Sequence, residues 1–109
     1  MNQTLKNFFI GQNIYDEEFE AFMEGKVLIV PNTTDLSWYG CFPIVKDNVL
    51  TDIRLLVPEI ENDQDLLINI HEYAHALELY SELGKIYEDK VELRESHARE
   101  MEKVYLRSN

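Results

Sequence analysis

Residues 62–84 read Asn62-Asp-Gln-Asp-Leu-Leu-Ile-Asn-Ile-His71-Glu72-Tyr73-Ala74-His75-Ala-Leu-Glu-Leu-Tyr-Ser-Glu-Leu-Gly84. Leu66, Leu67, Ile70, Ala74 and Leu77 recur at three- and four-residue spacing, the stripe of an amphipathic helix. Asn62 or Asp63 can cap its start, acids follow in the first turn, and Gly84 closes it, so a helix is predicted from about 64 to 82. Within it stands His71-Glu72-x-x-His75. Histidines at i and i+4 point to one side of a helix about a turn apart, so both imidazoles can reach one zinc ion. Glu72 lies next to them and can hold a metal-bound water and take its proton.

A catalytic zinc site needs a third protein ligand. Downstream, a last helix is predicted from about 85 to 106, with Tyr87, Val91, Ala98, Met101 and Tyr105 on one stripe. It folds back on the first about the Gly84-Lys85 turn as an antiparallel hairpin. The candidates on it are His97 and the glutamates 88, 92, 95, 100 and 102. At ~1.5 Å per residue, His75 and His71 lie roughly 14 and 20 Å from the turn. Glu95 lies at about 16 Å, Glu92 at roughly 11 Å, Glu88 at about 5 Å and Glu102 at about 26 Å. Height therefore favours Glu95, with Glu92 second. Azimuth agrees, because Glu95 borders the apolar stripe whereas Glu92 sits among Glu88, Arg99 and Lys103. A carboxylate at the margin of a packed stripe is costly unless something pairs with it.

Upstream of the motif, Tyr15, Phe19, Phe22 and Met23 mark a helix over 14–24, with Gly25 as its C-cap. Lys26 to Val30 reads as a buried strand stopped by Pro31. Tyr39 to Val45 reads as a second strand, at an edge or bulged because it contains Pro43. Asp47-Asn48 suits a turn, and Val49 to Val57 a third strand ended by Pro58. The predicted fold class is α+β in one domain, residues 1–109. It comprises an N-terminal helix, a small three-stranded sheet, then the active-site helix and the glutamate helix as a hairpin.

Composition bounds the partners. The chain has 109 residues and a formal charge of −11. Residues 1–84 hold 15 acids and 4 bases, and residues 85–109 hold 6 of each, so all of the net charge lies in the first part. A nucleic-acid binder needs a basic footprint, and an anionic membrane surface attracts one too, so neither partner is expected. Solubility explains most of the charge, with a preference for cationic ligands or metal as the sharper reading. The lone Cys41 rules out an internal disulfide and points to a reducing, cytoplasmic setting. Phe8, Phe9 and Ile10 form too short a run for a signal-peptide core.

His71-Glu72-x-x-His75 followed by a glutamate on the next helix resembles the gluzincin class of zinc metallopeptidases, and the short chain resembles its minimal single-domain members, the minigluzincins. The segment Glu95-Ser-His-Ala98-Arg-Glu-Met101 is also similar to the glutamate helix of ImmA/IrrE-type metallopeptidases. The resemblance covers roughly residues 50–105. It implies His71, His75 and Glu95 as zinc ligands and Glu72 as general base and acid. It also implies an edge strand that binds the substrate backbone, a role falling on Thr51 to Val57 with Ile53, Arg54 and Leu55 at its centre. Two departures stand out. Thermolysin-like members carry Asp four residues after the ligand glutamate to orient the first histidine, where this chain has Arg99. The residue that steadies the oxyanion stays open among Tyr73, Tyr80, Tyr87 and His97.

The expected function is that of a zinc-dependent metalloendopeptidase acting on a peptide or unfolded-protein substrate. Self-association stays open. Residues 1–13 are a candidate plug of a self-inhibited form, with Phe8, Phe9 and Ile10 filling a groove and Cys41 able to cap the zinc. The alternative is a zinc-binding regulatory or interaction module with little or no proteolytic turnover. A purely structural zinc site would need Cys41 or His97 as a fourth ligand.

Overall fold

The computed structural model describes residues 1–33 and 35–108, without the side chain of Ser108. Two short helices come first, α1 (Gln3–Gly11) and α2 (Glu17–Met23). Strand β1 (Val27–Val30) follows, then a 3-10 turn at Leu36–Trp38. Strands β2 (Gly40–Lys46) and β3 (Val49–Pro58) lead into α3 (Asp63–Tyr80) and α4 (Val91–Ser108). The protein is thus mixed α+β, with four α-helices and a small three-stranded sheet among the described residues.

The sheet order is β1-β3-β2, with β1 parallel and β2 antiparallel to β3. Asp47 and Asn48 join β2 to β3 with φ of 52° and 66°. Two consecutive positive φ values make the tight turn whose twist matches a hairpin, and Asp and Asn tolerate that region. Ile53, Leu55 and Val57 alternate along β3 and are fully buried beneath the helices. Pro43 sits on β2, an edge strand that also carries an irregularity at Ile44/Val45.

This order corrects one expectation. The segment Thr51 to Val57, with Ile53, Arg54 and Leu55, is not an edge strand. It belongs to the central strand, which at Leu55 and Leu56 pairs with both neighbours, Leu55 lying opposite Val27 on β1 and Cys41 on β2, while Ile53 and Arg54 pair with β2 and Val57 with β1. The most apolar strand takes the centre because only there can its backbone be paired on both edges while its side chains are buried. The proline-bearing strand is left at the rim.

Two helices also differ from expectation. Residues 3–11 form α1, whose start is fixed by the Asn2 side chain accepting from the Thr4 and Leu5 amides. Its Leu5 and Phe9, one turn apart, are buried in the core, where Phe9 meets the Tyr73 ring at 6.4 Å. The last helix begins at Val91, six residues later than the predicted 85. The reason lies in the connection, where the backbone of 84–87 pairs with the start of β3. The Gly84 amide donates to the Leu50 carbonyl at 2.9 Å, Leu50 to Lys85 at 3.0 Å, and Tyr87 to Asn48 at 2.8 Å. The buried stripe of α4 is consequently Arg94, Ala98 and Met101, and Val91 is exposed.

Helix α3 starts as predicted. The Asn62 side chain accepts from the Asp65 amide at 2.9 Å, and the Asp65 carboxylate accepts from the Glu61 amide at 3.1 Å. Its inner face lies on β3, and α4 runs antiparallel beside it. Glu78 meets His97 near one end, and His71 meets Glu102 toward the other. No described helix is long and apolar enough to cross a membrane.

Candidate metal centre

The periodicity of α3 places His71 and His75 on the side that faces α4, away from the fully buried Ile70. Their Nε2 atoms are 3.3 Å apart. Glu95 reaches over from α4. Its Oε1 lies 2.7 Å from His71 Nε2 and its Oε2 3.2 Å from His75 Nε2. Four-coordinate zinc with bonds of ~2.0–2.1 Å requires ligand atoms about 3.3–3.4 Å apart. The two imidazole nitrogens stand at that spacing, each faces one oxygen of the Glu95 carboxylate, Oε1 more closely than a shared ion would set it, and the donor set fits a divalent cation. Glu72 belongs to the same cluster, since its carboxylate and both imidazoles present ligand atoms within 4.8 Å of one another. Of the two carboxylates, Glu95 makes the closer approach to both rings, which leaves Glu72 as the neighbour.

Glu72 is buried. Burial raises its carboxyl to about 7, opposed by His71 and reinforced by the charges of Glu95 and Glu102. His75 is held below the usual histidine value, first by burial and next by His71, against the pull of Glu95. Its imidazole is therefore biased toward the neutral form that a metal ligand needs.

The other side of His71 has a partner that inspection of spacing did not single out. Its Nδ1 lies 3.4 Å from Glu102 Oε2. The expected orienting position, Arg99, instead points to Glu95 across one helical turn at 3.9 Å. Glu102 follows Glu95 by two turns and so shares its face. A helix running straight from Gly84-Lys85 would set Glu102 beyond His71; the later start of α4 at Val91 brings it level with the ring. Glu92 forms no part of the cluster.

The cleft around these groups has two lobes of about 390 and 370 Å³, both lined by Tyr39, His71, Glu72 and Glu95. Gly40, Cys41 and Pro43 of β2 form a wall of the first lobe, together with Tyr87 and Arg94. The exposed edge beside the cleft therefore belongs to β2. Arg94 is buried, donates to Glu82 Oε2 at 2.5 Å and to the Tyr87 hydroxyl at 3.3 Å, and stacks on the Tyr87 ring. It ties the connection to α4 immediately before the candidate ligand Glu95.

The remaining candidates sort themselves by position. Tyr73 and Tyr80 are packed among Phe9, Phe19 and Phe22. His97 is on the surface beside Glu78. Of the four oxyanion candidates only Tyr87 lines the cleft. Cys41 also lines it, but burial, with the Glu72 charge, pushes its thiol up to about 12. None of residues 1–13 lines the cleft; Leu5 and Phe9 are committed to the core instead. No family model, curated protein or solved structure matches the chain.

Proposed function

We propose that this protein is a zinc metallopeptidase of the gluzincin type. The observation that carries the reading is the convergence of Glu95 on both imidazoles of the His71-Glu72-x-x-His75 helix, with Glu72 buried alongside. His71, His75 and Glu95 would hold the ion, with Glu102 orienting the first histidine. Two imidazoles and one carboxylate suit zinc better than the all-oxygen sites of magnesium or calcium. Bound there, a divalent ion supplies Lewis acidity that polarises a peptide carbonyl and acidifies water.

The chain's own groups supply the rest. Glu72, buried beside the cluster, takes a proton from the attacking water and passes it to the departing amine. The Tyr87 hydroxyl accepts from Arg94, so its own proton is free to point at a carbonyl oxygen that gains charge. The outer edge of β2, which has no strand partner among the described residues, offers backbone donors and acceptors to an extended peptide, with Gly40, Cys41 and Pro43 beside the cluster. The role first given to Ile53, Arg54 and Leu55 passes to this strand. A reducing, cytoplasmic setting is consistent with the half-buried, unpaired Cys41.

The test is metal analysis and casein cleavage, wild type against Glu72→Gln. The variant should keep zinc and lose cleavage. Equal cleavage by both proteins, or no zinc in either, overturns the reading.

A further inference from the structure

A large concavity lies away from the metal cluster and shares no residue with its cleft. It is a groove of about 900 Å³ between α2, β1 and α3. Its origin is the sheet order. Val27 and Ile29 pair with Leu55 and Val57 and so share the helix-facing side of the sheet. There Leu55 and Val57 are fully covered, yet Ile29 is 56% exposed. No helix lies over this end of β1, and the outer edge of β1 has no strand partner among the described residues.

Three features of the groove point to one occupant. Its floor is apolar, formed by Leu5, Met23 and Tyr73. Its rim carries the carboxylates of Glu17, Glu24 and Glu59, none ion-paired among the described residues, whereas Glu20 is engaged by Lys6 at 3.0 Å. The third is Asn69, which is 3% exposed and lines the groove. Its amide nitrogen donates to the carbonyls of Pro58 at 3.0 Å and Asp65 at 2.9 Å. That fixes the side chain and leaves its oxygen as an acceptor with no donor among the described residues.

We propose that this groove is a second peptide-binding site, which takes an extended basic segment as a fourth strand on β1. Alternate side chains of an added strand fall to one face, so every second residue enters the groove. Apolar stems cover Val27 and Ile29, lysine or arginine heads meet the three rim carboxylates, and one donor reaches Asn69. The site does not depend on the metal cluster. It would hold a basic stretch of a protein while another part of that chain lies elsewhere.

The probe is a fluorophore-labelled, end-capped hexapeptide alternating lysine and valine, titrated into Glu72→Gln protein and read by anisotropy. Saturable binding with a Kd below about 1 mM is expected. It should weaken as salt rises, because exposed charge pairs are screened over a Debye length of ~8 Å. Replacing Glu17, Glu24 and Glu59 together by glutamine should weaken it about tenfold. Ile29→Lys, at an exposed position, should do the same with the circular dichroism unchanged. Equal affinity in the triple variant, equal binding of a glutamate-valine peptide, or no saturation overturns the proposal. So does a peptide-free dimer that the triple variant dissolves, which would assign the groove to a second copy of the chain. None of these readouts involves zinc or cleavage, so failure here and failure of the peptidase reading are separable.

Discussion

Glu102→Gln is the sharpest probe of how the candidate metal centre is organised. The carboxylate lies 3.4 Å from His71 Nδ1, near the long limit for an N–H···O contact, and its side chain is 28% exposed. Coulomb's law puts a unit charge pair at this separation between about 1.2 kcal/mol in bulk water and about 5 kcal/mol at an effective dielectric of 20. In the bound state the positive charge is shared between the ion and the ring, hence farther away, and solvent reaches the carboxylate. The lower end therefore applies. A loss of about 1.4 kcal/mol corresponds to tenfold weaker zinc binding, at the bottom of the tenfold-to-hundredfold range for groups that orient a ligand. Glu95→Gln removes a charged ligand and should cost more than Glu102→Gln, and Glu92→Gln should cost nothing measurable. The assay is competition for zinc against a chromophoric chelator, with circular dichroism as the folding control. Glu102→Gln binding zinc like wild type would show that His71 needs no orienting carboxylate. Glu92→Gln losing more than Glu95→Gln would move the third ligand and refute the hairpin geometry.

Tyr87→Phe should lower kcat of peptide cleavage by about a hundredfold while zinc content stays the same, as for loss of one donor to a developing oxyanion; an unchanged kcat removes Tyr87 from the chemistry. Phe9→Ala should destabilise the protein by about 3–5 kcal/mol in urea titration, since the ring is fully buried. Deleting residues 1–13 should for the same reason destabilise the protein and not raise cleavage, and a more active truncated enzyme would restore the plug. Burial pushes the Asp52 carboxyl up, but the Lys26 hydrogen bond at 2.8 Å, the Ile53 amide and Arg54 hold it below the ordinary value. A carboxyl so depressed adds stability that is fully present above its unfolded pKa of about 3.9 and is lost as pH falls through the lower folded value. Asp52→Asn should flatten the acid limb of the stability curve below that point; an unchanged limb would show the pair carries no weight.

Local patterns carried much of the reading. The stripe Leu66, Ile70, Ala74 and the Asn62 cap specify α3, because helical spacing and capping involve residues within a turn or two of each other. The placement of His71, Glu72 and His75 on that helix follows from the same rule. Glu95 was reached by a height estimate whose turn lay too early. It still meets the histidines because it flanks the Arg94-Ala98-Met101 stripe that packs on α3. α1 was legible in part, since Asn2 as a cap and Leu5 with Phe9 one turn apart are a helical signature; the polar residues between them hid it.

What the amino-acid sequence determined by itself was therefore the identity and spacing of the three motif residues, the helix they sit on and the hairpin turn at Asp47-Asn48. Tertiary structure alone decided which strand lies at the edge, which carboxylate faces the Nδ1 of His71 and where an uncovered groove remains. Strand order depends on pairing among residues tens of positions apart, and no periodicity records it. It put β3 in the centre, left β2 beside the cleft and left β1 bare. The register of α4 against α3 was likewise set at a distance, by the pairing of 84–87 with 48–50, which delayed the helix to Val91 and brought Glu102 to His71.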